Sequence, residues 1–128
     1  MKLKIYIGGN PGAQDGTEVD KITIKNLMSY VSSMSTVYFQ QAIIPICIRE
    51  PVGFKATNVT TKILNQNCSL SGKISAWPTD DFYIWSNGEN LDTVGQTNVM
   101  FFLSALGVSE IADNTDLFSI SCVEDETA

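Results

Sequence analysis

The stretch from Ile43 to Phe54 constrains the fold of this chain more than any other part of the sequence. Its first residues would be apolar on both faces of an extended strand, with Ile44, Ile46 and Ile48 on one face and Ile43, Pro45 and Cys47 on the other. Such a pattern is typical of a strand that is covered on both sides. Pro45 lacks a backbone donor and therefore favours an edge, a strand start or a bulge. The stretch predicts a buried strand around which the rest of the chain is arranged.

Other short apolar segments, separated by turn residues, predict further strands. They are Leu3–Ile7, Asn58–Leu64, Leu70–Trp77, Phe82–Trp85, Asn98–Ala105 and Leu117–Val123. A buried helix is the alternative for Asn98–Ala105, but its eight residues favour a strand. Asn87-Gly88 follows Phe82–Trp85 and is a strong signal for a hairpin turn.

The region from Val19 to Gln41 is harder to divide into elements. Val19, Ile22, Ile24 and Leu27 indicate a β-rich region without clear strand ends. The segment Ser29–Gln41 has approximate helical spacing, but its Ser, Thr and β-branched residues favour a strand.

The number and spacing of these strands predict the fold class. Short strands at turn-punctuated intervals, without a long amphipathic helix, indicate an all-β, antiparallel sandwich. A chain of 128 residues is one domain by length, so we expect a single domain over 1–128 with a solvated acidic tail at about 124–128. The apolar start is too short for a signal peptide and is interpreted as the first strand. The expected core contains Ile44, Ile46, Ile48, Trp77, Phe101 and Leu103.

Charge and apolar run length bear on the partners of the chain. A net charge of −6, with scattered Lys and Arg, argues against nucleic acid and against an anionic membrane surface. No apolar run approaches the ~18 residues that would span a bilayer. We therefore expect neither a nucleic-acid nor a membrane partner.

The three cysteines are Cys47, Cys68 and Cys122. Their odd number and wide spacing disfavour both a disulfide framework and a zinc site. Free, largely buried thiols are the expected state.

Catalytic chemistry has little support in the sequence. The chain has no histidine, which excludes His-based triads and His–metal sites. Asp80, Asp81 and Glu89 are candidates for a glycosidase carboxylate pair, although turn residues of this type usually serve geometry and solvation. Asp113–Asp116 has oxygen ligands suited to calcium, but an Asx turn is the favoured interpretation. We expect no enzymatic activity, catalytic residue, metal or cofactor.

Trp77, Tyr83 and Trp85 allow two interpretations. Tyr and Trp side chains on a β-sheet can stack against sugar rings. A small sandwich also needs large aromatic side chains in its core or at an interface, and that interpretation is favoured.

The order of these features resembles the small Ig-like β-sandwich structural proteins of tailed bacteriophages and prophages. The resemblance covers most of the chain and is carried by Leu3–Ile7, Asp15–Val19, Pro45–Arg49, Gly53–Lys55, Gly72, Trp77, Phe82–Trp85, Thr97–Phe102, Asp113–Asp116 and the final strand. Two departures stand out: Asp20-Lys21-Ile22 replaces a Gly- and Asn-rich turn, and the connection from Trp77 to Phe82 is short. The family pattern contains no catalytic residues.

This resemblance implies a virion protein, made in the cytoplasm of a host bacterium, that decorates the capsid or forms part of the tail. Its expected partners are copies of itself and other capsid or tail proteins. Family analogy places the sheet edges at Leu3–Ile7 and Leu117–Val123. A carbohydrate-binding or receptor-binding module, with a host-surface glycan as partner, is the alternative. A small glycan-active enzyme using Asp81 or Glu89 is a third hypothesis.

Overall fold

A computed structural model describes residues 1–27, 41–74, 85–106 and 114–128, with the backbone alone at 41, 42 and 106. These residues form an all-β structure, as predicted. Its ten strands are β1 (Lys4–Ile7), β2 (Thr17–Val19), β3 (Gln41–Arg49), β4 (Phe54–Ile63), β5 (Cys68–Ser71), β6 (Trp85–Ser86), β7 (Gly88–Val94), β8 (Val99–Leu106), β9 (Phe118–Ser121) and β10 (Glu124–Thr127).

The strands form two antiparallel sheets. The six-stranded sheet has the order β2-β1-β3-β8-β5-β6. The four-stranded sheet is centred on β4, which pairs with β7 on one side and with β9 and β10 on the other. One hydrophobic core contains side chains from both sheets, and the rings of Phe101 in β8 and Phe118 in β9 lie 5.5 Å apart within it.

Strand β3 is covered on both faces from Ile44 to Ile48, as its sequence predicts, whereas Ile43 at its start is exposed. Ile44, Ile46 and Ile48 are at most 1% exposed and belong to the core shared by the two sheets. On the opposite face, Cys47 joins a second cluster with Met100 and Phe102 of β8. The predicted core positions Phe101 and Leu103 are also buried, whereas Trp77 lies outside the described residues.

Pro45 lies inside a strand that is paired on both sides, and the register explains why it is tolerated. Ile46 pairs with Ile7, the last residue of β1, and the Gly8 N–H then donates to the Pro45 carbonyl at 2.9 Å. The donor that Pro45 lacks would point to the same side, where β1 has ended. The proline therefore costs the sheet little, because it stands where one of the two pairings stops.

Residues 24–27 are helical, which corrects the prediction of a β-rich region there. Thr23 and Asn26 cap this turn reciprocally: the Asn26 N–H donates to Thr23 Oγ1 at 3.3 Å, and the Thr23 N–H donates to Asn26 Oδ1 at 3.1 Å. Such an exchange satisfies donors that a helix start leaves unpaired. Ile22, Ile24 and Leu27 are buried, so their apolar character was a correct signal for the core. The strand predicted over Ser29–Gln41 lies outside the described residues except at Gln41, where β3 begins.

Asn87-Gly88 does not form the predicted hairpin turn. The preceding β6 pairs with β5 in the six-stranded sheet, whereas the following β7 pairs with β4 in the other sheet. A Cβ atom at Gly88 would overlap the Thr61 carbonyl oxygen. Glycine is therefore needed for close approach to β4 as the chain crosses between sheets.

The strand predicted at Leu70–Trp77 is shorter than expected. β5 ends at Ser71, and Ile74 forms an isolated bridge with Met100, to whose carbonyl it donates at 2.8 Å. Residues 75–84 lie outside the described part of the chain.

Both ends of the chain depart from the sequence predictions. Leu3–Ile7 is not at a sheet edge, because β1 lies between β2 and β3. The acidic segment is not a solvated tail, because Glu124–Thr127 forms β10 and pairs with residues Phe54–Thr57 of β4. Backbone pairing can hold a strand of charged residues at an edge, where their side chains reach solvent.

The burial of β3 predicts a large difference between two substitutions in the same strand. Ile46→Ala should lower the free energy of unfolding by about 2–5 kcal/mol, because it opens a cavity in the core. Ile43→Ala is the matched control: Ile43 is 44% exposed, so this substitution should lower the free energy of unfolding far less. Urea unfolding followed by fluorescence measures both, and equal losses would contradict the placement of the two side chains.

Candidate functional site

The C-terminal strands form an open edge of the four-stranded sheet. β9 pairs with Thr60–Ile63 and β10 pairs with Phe54–Thr57, so together they follow β4 along its length. Within the described ranges, neither β9 nor β10 pairs with any strand other than β4. Backbone groups on the far side of this edge have no strand partner in the described part of the chain, and unpaired groups of this kind can accept another strand. The predicted edge at Leu117–Val123 agrees with the position of β9.

β7 is the other edge of this sheet within the described residues. Its pairing with β4 is irregular between Ala56 and Thr60, where Asn58 and Asp92 have φ angles of 48° and 58°. Such bulges interrupt an edge and limit its pairing with another chain. The C-terminal edge and the β7 edge lie on opposite sides of β4.

Both edges are acidic. Glu124, Asp125 and Glu126 lie on β10, while Glu89 and Asp92 lie on β7. Lys55 of β4 reaches Glu126 at 3.5 Å, but this pair is solvent-exposed and contributes little stability. Edges from two copies would repel each other electrostatically near neutral pH.

Glu50 is the most unusual ionisable residue among those described. It follows β3, its side chain is only 1% exposed, and neither carboxylate oxygen receives a hydrogen bond. Its backbone N–H donates to the Gly95 carbonyl at 2.8 Å, which fixes its position. Burial raises the pKa of Glu50 to about 7, and the neighbouring Asp125 carboxylate contributes to the increase.

Asp125 of β10 is the partner of Glu50. When Glu50 is protonated, its hydroxyl group donates to the Asp125 carboxylate, and this bond is the largest cause of the lowered pKa of Asp125. Asp125 also accepts the Lys2 N–H at 3.0 Å and lies 3.7 Å from the Met1 amino group. Of the two carboxyl groups, Glu50 is therefore the one that keeps its proton to higher pH.

A second polar cluster anchors the loop between β1 and β2. Asn98 is 4% exposed, and its amide donates to the Asn10 carbonyl at 3.0 Å and to Asp15 Oδ1 at 2.9 Å. Arg49 donates to Asn98 Oδ1 at 2.6 Å and stacks 3.6 Å from the Tyr6 ring centroid. Hydrogen bonds from Asn10 lower the pKa of Asp15. Because these groups bond one another, the cluster serves to hold the loop.

The candidate carboxylate pair is not assembled among the described residues. Glu89 Oε1 accepts a hydrogen bond from the Ser86 hydroxyl at 3.0 Å, while Asp80 and Asp81 lie outside the described ranges. In the described part of Asp113–Asp116, Asp116 Oδ1 accepts the Phe118 N–H at 3.4 Å, the geometry of an Asx turn. No group of three or more His, Cys, Asp or Glu among the described residues is arranged to hold a metal ion.

The aromatic platform is only partly described. Trp85 is half-buried and packs against the cluster of Cys47, Met100 and Phe102. Trp77 and Tyr83 lie outside the described residues. The contacts of Trp85 thus favour packing over sugar stacking.

Cys47, Cys68 and Cys122 are free thiols, two of them buried and Cys122 half-buried. Burial raises the pKa of Cys47 to about 12 and that of Cys68 to about 11, and it also raises the pKa of Cys122. Since the thiolate is the reactive form, all three are poor nucleophiles near neutral pH.

The Glu50–Asp125 pair and the Asn98 cluster carry no clear sequence signal. Glu50 stands at the end of an apolar run, where a charged residue ordinarily marks a return to solvent. Their burial depends on segments distant in sequence, since Asp125 lies in the last strand and Asn98 immediately before β8.

Comparison with known proteins found no relative of this chain. No family model, curated protein or solved structure matches the chain. No helix in the described ranges has the length and apolar character needed to cross a membrane.

The state of the thiols predicts a simple chemical result. The native protein should react slowly with a thiol reagent, whereas the denatured protein should show three reactive thiols. Cys122→Ser should remove the fastest native phase, because Cys122 is the only half-buried thiol of the three. Mass spectrometry of the non-reduced protein should show no loss of two hydrogens, and such a loss would contradict this assignment.

Proposed function

We propose that this chain is a non-enzymatic structural protein that assembles through the open edges of its four-stranded sheet. The observation that carries the proposal is the C-terminal edge, where β9 and β10 pair with β4 on one side only among the described strands. A second chain can add a strand there through main-chain hydrogen bonds.

The positions of the two edges support assembly by repetition. Because the C-terminal edge and the β7 edge lie on opposite sides of β4, the edge of one copy can meet the other edge of the next. Contacts of this heterologous kind join copies in a ring or a row. The irregular pairing at Asp92 restricts the usable part of β7 to the residues before it.

The virion assignment rests on the resemblance to Ig-like phage structural proteins, and the two antiparallel sheets with a common core agree with it in fold class. We accordingly propose an Ig-like sandwich that decorates the capsid or forms part of the tail of a phage produced in the bacterial cytoplasm. Its partners are copies of itself and other virion proteins, without nucleic acid, membrane or cofactor.

The acidity of the edges gives the assembly a defined salt dependence. Contacts between copies bring Glu124–Glu126 near Glu89 and Asp92. Added salt screens this repulsion while leaving main-chain hydrogen bonds and apolar contacts largely unaffected. Self-association should therefore persist or increase with salt.

A proline substitution tests the edge directly. The Ala128 N–H donates to Gly53 at 2.9 Å, so the N–H of Thr127, one residue earlier, points away from β4. Thr127→Pro removes this outward donor and should weaken self-association, which light scattering measures. It should also weaken binding to virus particles assembled without the chain, which co-sedimentation measures. Thr127→Ala is the control, because it changes the same exposed side chain and keeps the donor.

Other outcomes would contradict the proposal. If Thr127→Pro and Thr127→Ala assemble alike, the C-terminal edge is not the contact. A monomer that ignores the particles and binds a glycan array, with binding lost in Trp85→Ala, would establish the carbohydrate-binding alternative.

A further inference from the structure

The contact between Glu50 and Asp125 joins the last strand of the chain to the end of β3. Glu50 is buried and lacks a hydrogen-bond donor at either oxygen when ionised. Asp125 lies on β10, which is four residues long and is separated from β9 by Cys122 and Val123 alone. An ionised Glu50 would thus be a buried charge, without a donor, facing a second negative charge.

We propose that Glu50 and Asp125 form a proton-dependent latch, in which protonated Glu50 holds β10 against β4 and ionised Glu50 releases it. Release would uncover the edge of β4 from Phe54 to Thr57, which β10 otherwise covers. The latch concerns the fold of the chain itself and does not depend on the assembly function proposed above.

The other attachments of β10 are modest. The Val123 N–H donates to Thr57 at 3.0 Å, the Ala128 N–H donates to Gly53 at 2.9 Å, and four residue pairs lie between these contacts. The ion pair between Glu126 and Lys55 is exposed. A short edge strand held in this way opens more readily than the core strands, so the state of Glu50 has a large relative effect on it.

The charged groups around Glu50 come from both ends of the chain. Burial and Asp125 raise the pKa of Glu50. Lys2 and the Met1 amino group lower this pKa, but their effects are smaller than that of burial. Cys122 lies near enough for Glu50 and Asp125 to raise the pKa of its thiol. Gly95, which receives the Glu50 N–H, adds no charge.

The direction of the pH effect follows from these shifts. Glu50 has a pKa of about 7 when buried and an ordinary value of 4.5 when released into solvent. The latched state therefore binds more protons than the released state between these two values. The contribution of Glu50 to the free energy that favours the latched state is fully present below pH 4.5 and is lost as the pH rises to about 7. The pKa of Asp125 is lowered, so its contribution to the stability of the latched state is present above its ordinary pKa of 3.8. That contribution is lost only when the pH falls below this value.

Amide hydrogen exchange measured by NMR across this pH range tests the latch. After correction for intrinsic exchange rates, the protection of the Val123 and Ala128 amides should fall by about tenfold per pH unit from about pH 5 to about pH 7, then level off. The Leu64 amide, which donates to Leu117 beside β9, is the internal reference and should keep its protection. A parallel loss at Leu64 would indicate global opening and overturn the proposal.

Glu50→Gln is the decisive variant, because its amide can donate to Asp125 and cannot ionise. Its β10 amides should show no pH-dependent loss of protection. Glu126→Gln is the matched control on the same strand: it removes one acidic charge without touching Glu50 and should retain the wild-type profile. Equal pH profiles for wild type and Glu50→Gln would overturn the latch.

A second variant covers the case in which Glu50→Gln does not fold. Asp125→Asn supplies an amide donor to ionised Glu50, so the loss of protection with rising pH should become smaller. An unchanged profile in Asp125→Asn would also contradict the proposal. If Ca²⁺ added at pH 8 restored the protection of the β10 amides in the wild-type protein, the contact would be a cation site, and the proton latch would be wrong.

Discussion

Backbone pairing on both sides of β3 is the interaction on which the rest of the structure depends. β3 pairs with β1 through Ile46 to Arg49 and with β8 through Gln41 to Ile48. Because successive side chains alternate between faces, this central position buries Ile44, Ile46 and Ile48 on one side and Cys47 on the other. Pro45 fits because its missing donor falls where β1 ends.

The second sheet completes the core and brings the two ends of the chain together. β4 receives β7 on one side and the C-terminal strands on the other, while Phe118 of β9 packs against Phe101 of β8. This closure also encloses Glu50 and places Asp125 beside it. A carboxyl group in such a position is stabilised by a proton, because ionisation would leave a buried charge without a donor.

These two features connect the fold to the proposed function. The smaller sheet has open edges on both sides of β4 in the described part of the chain, which suits addition of strands from other chains. Its acidic side chains oppose association of free copies through electrostatic repulsion. The strand that carries most of this acidity, β10, is also the one in contact with the buried carboxyl group.

The sequence alone determined the fold class and the central strand. The run from Ile43 to Ile48, apolar on both parities, predicted a strand covered on both faces, and the alternation around Phe101 and Leu103 predicted another core strand. These predictions succeeded because side-chain alternation is a local property of an extended chain. Tertiary structure decided which strands pair: Asn87-Gly88 crosses between sheets, Leu3–Ile7 lies inside a sheet, and the acidic end forms β10. It also decided that Glu50 is buried beside Asp125, since contacts between residues so far apart in sequence leave no periodic pattern in either segment.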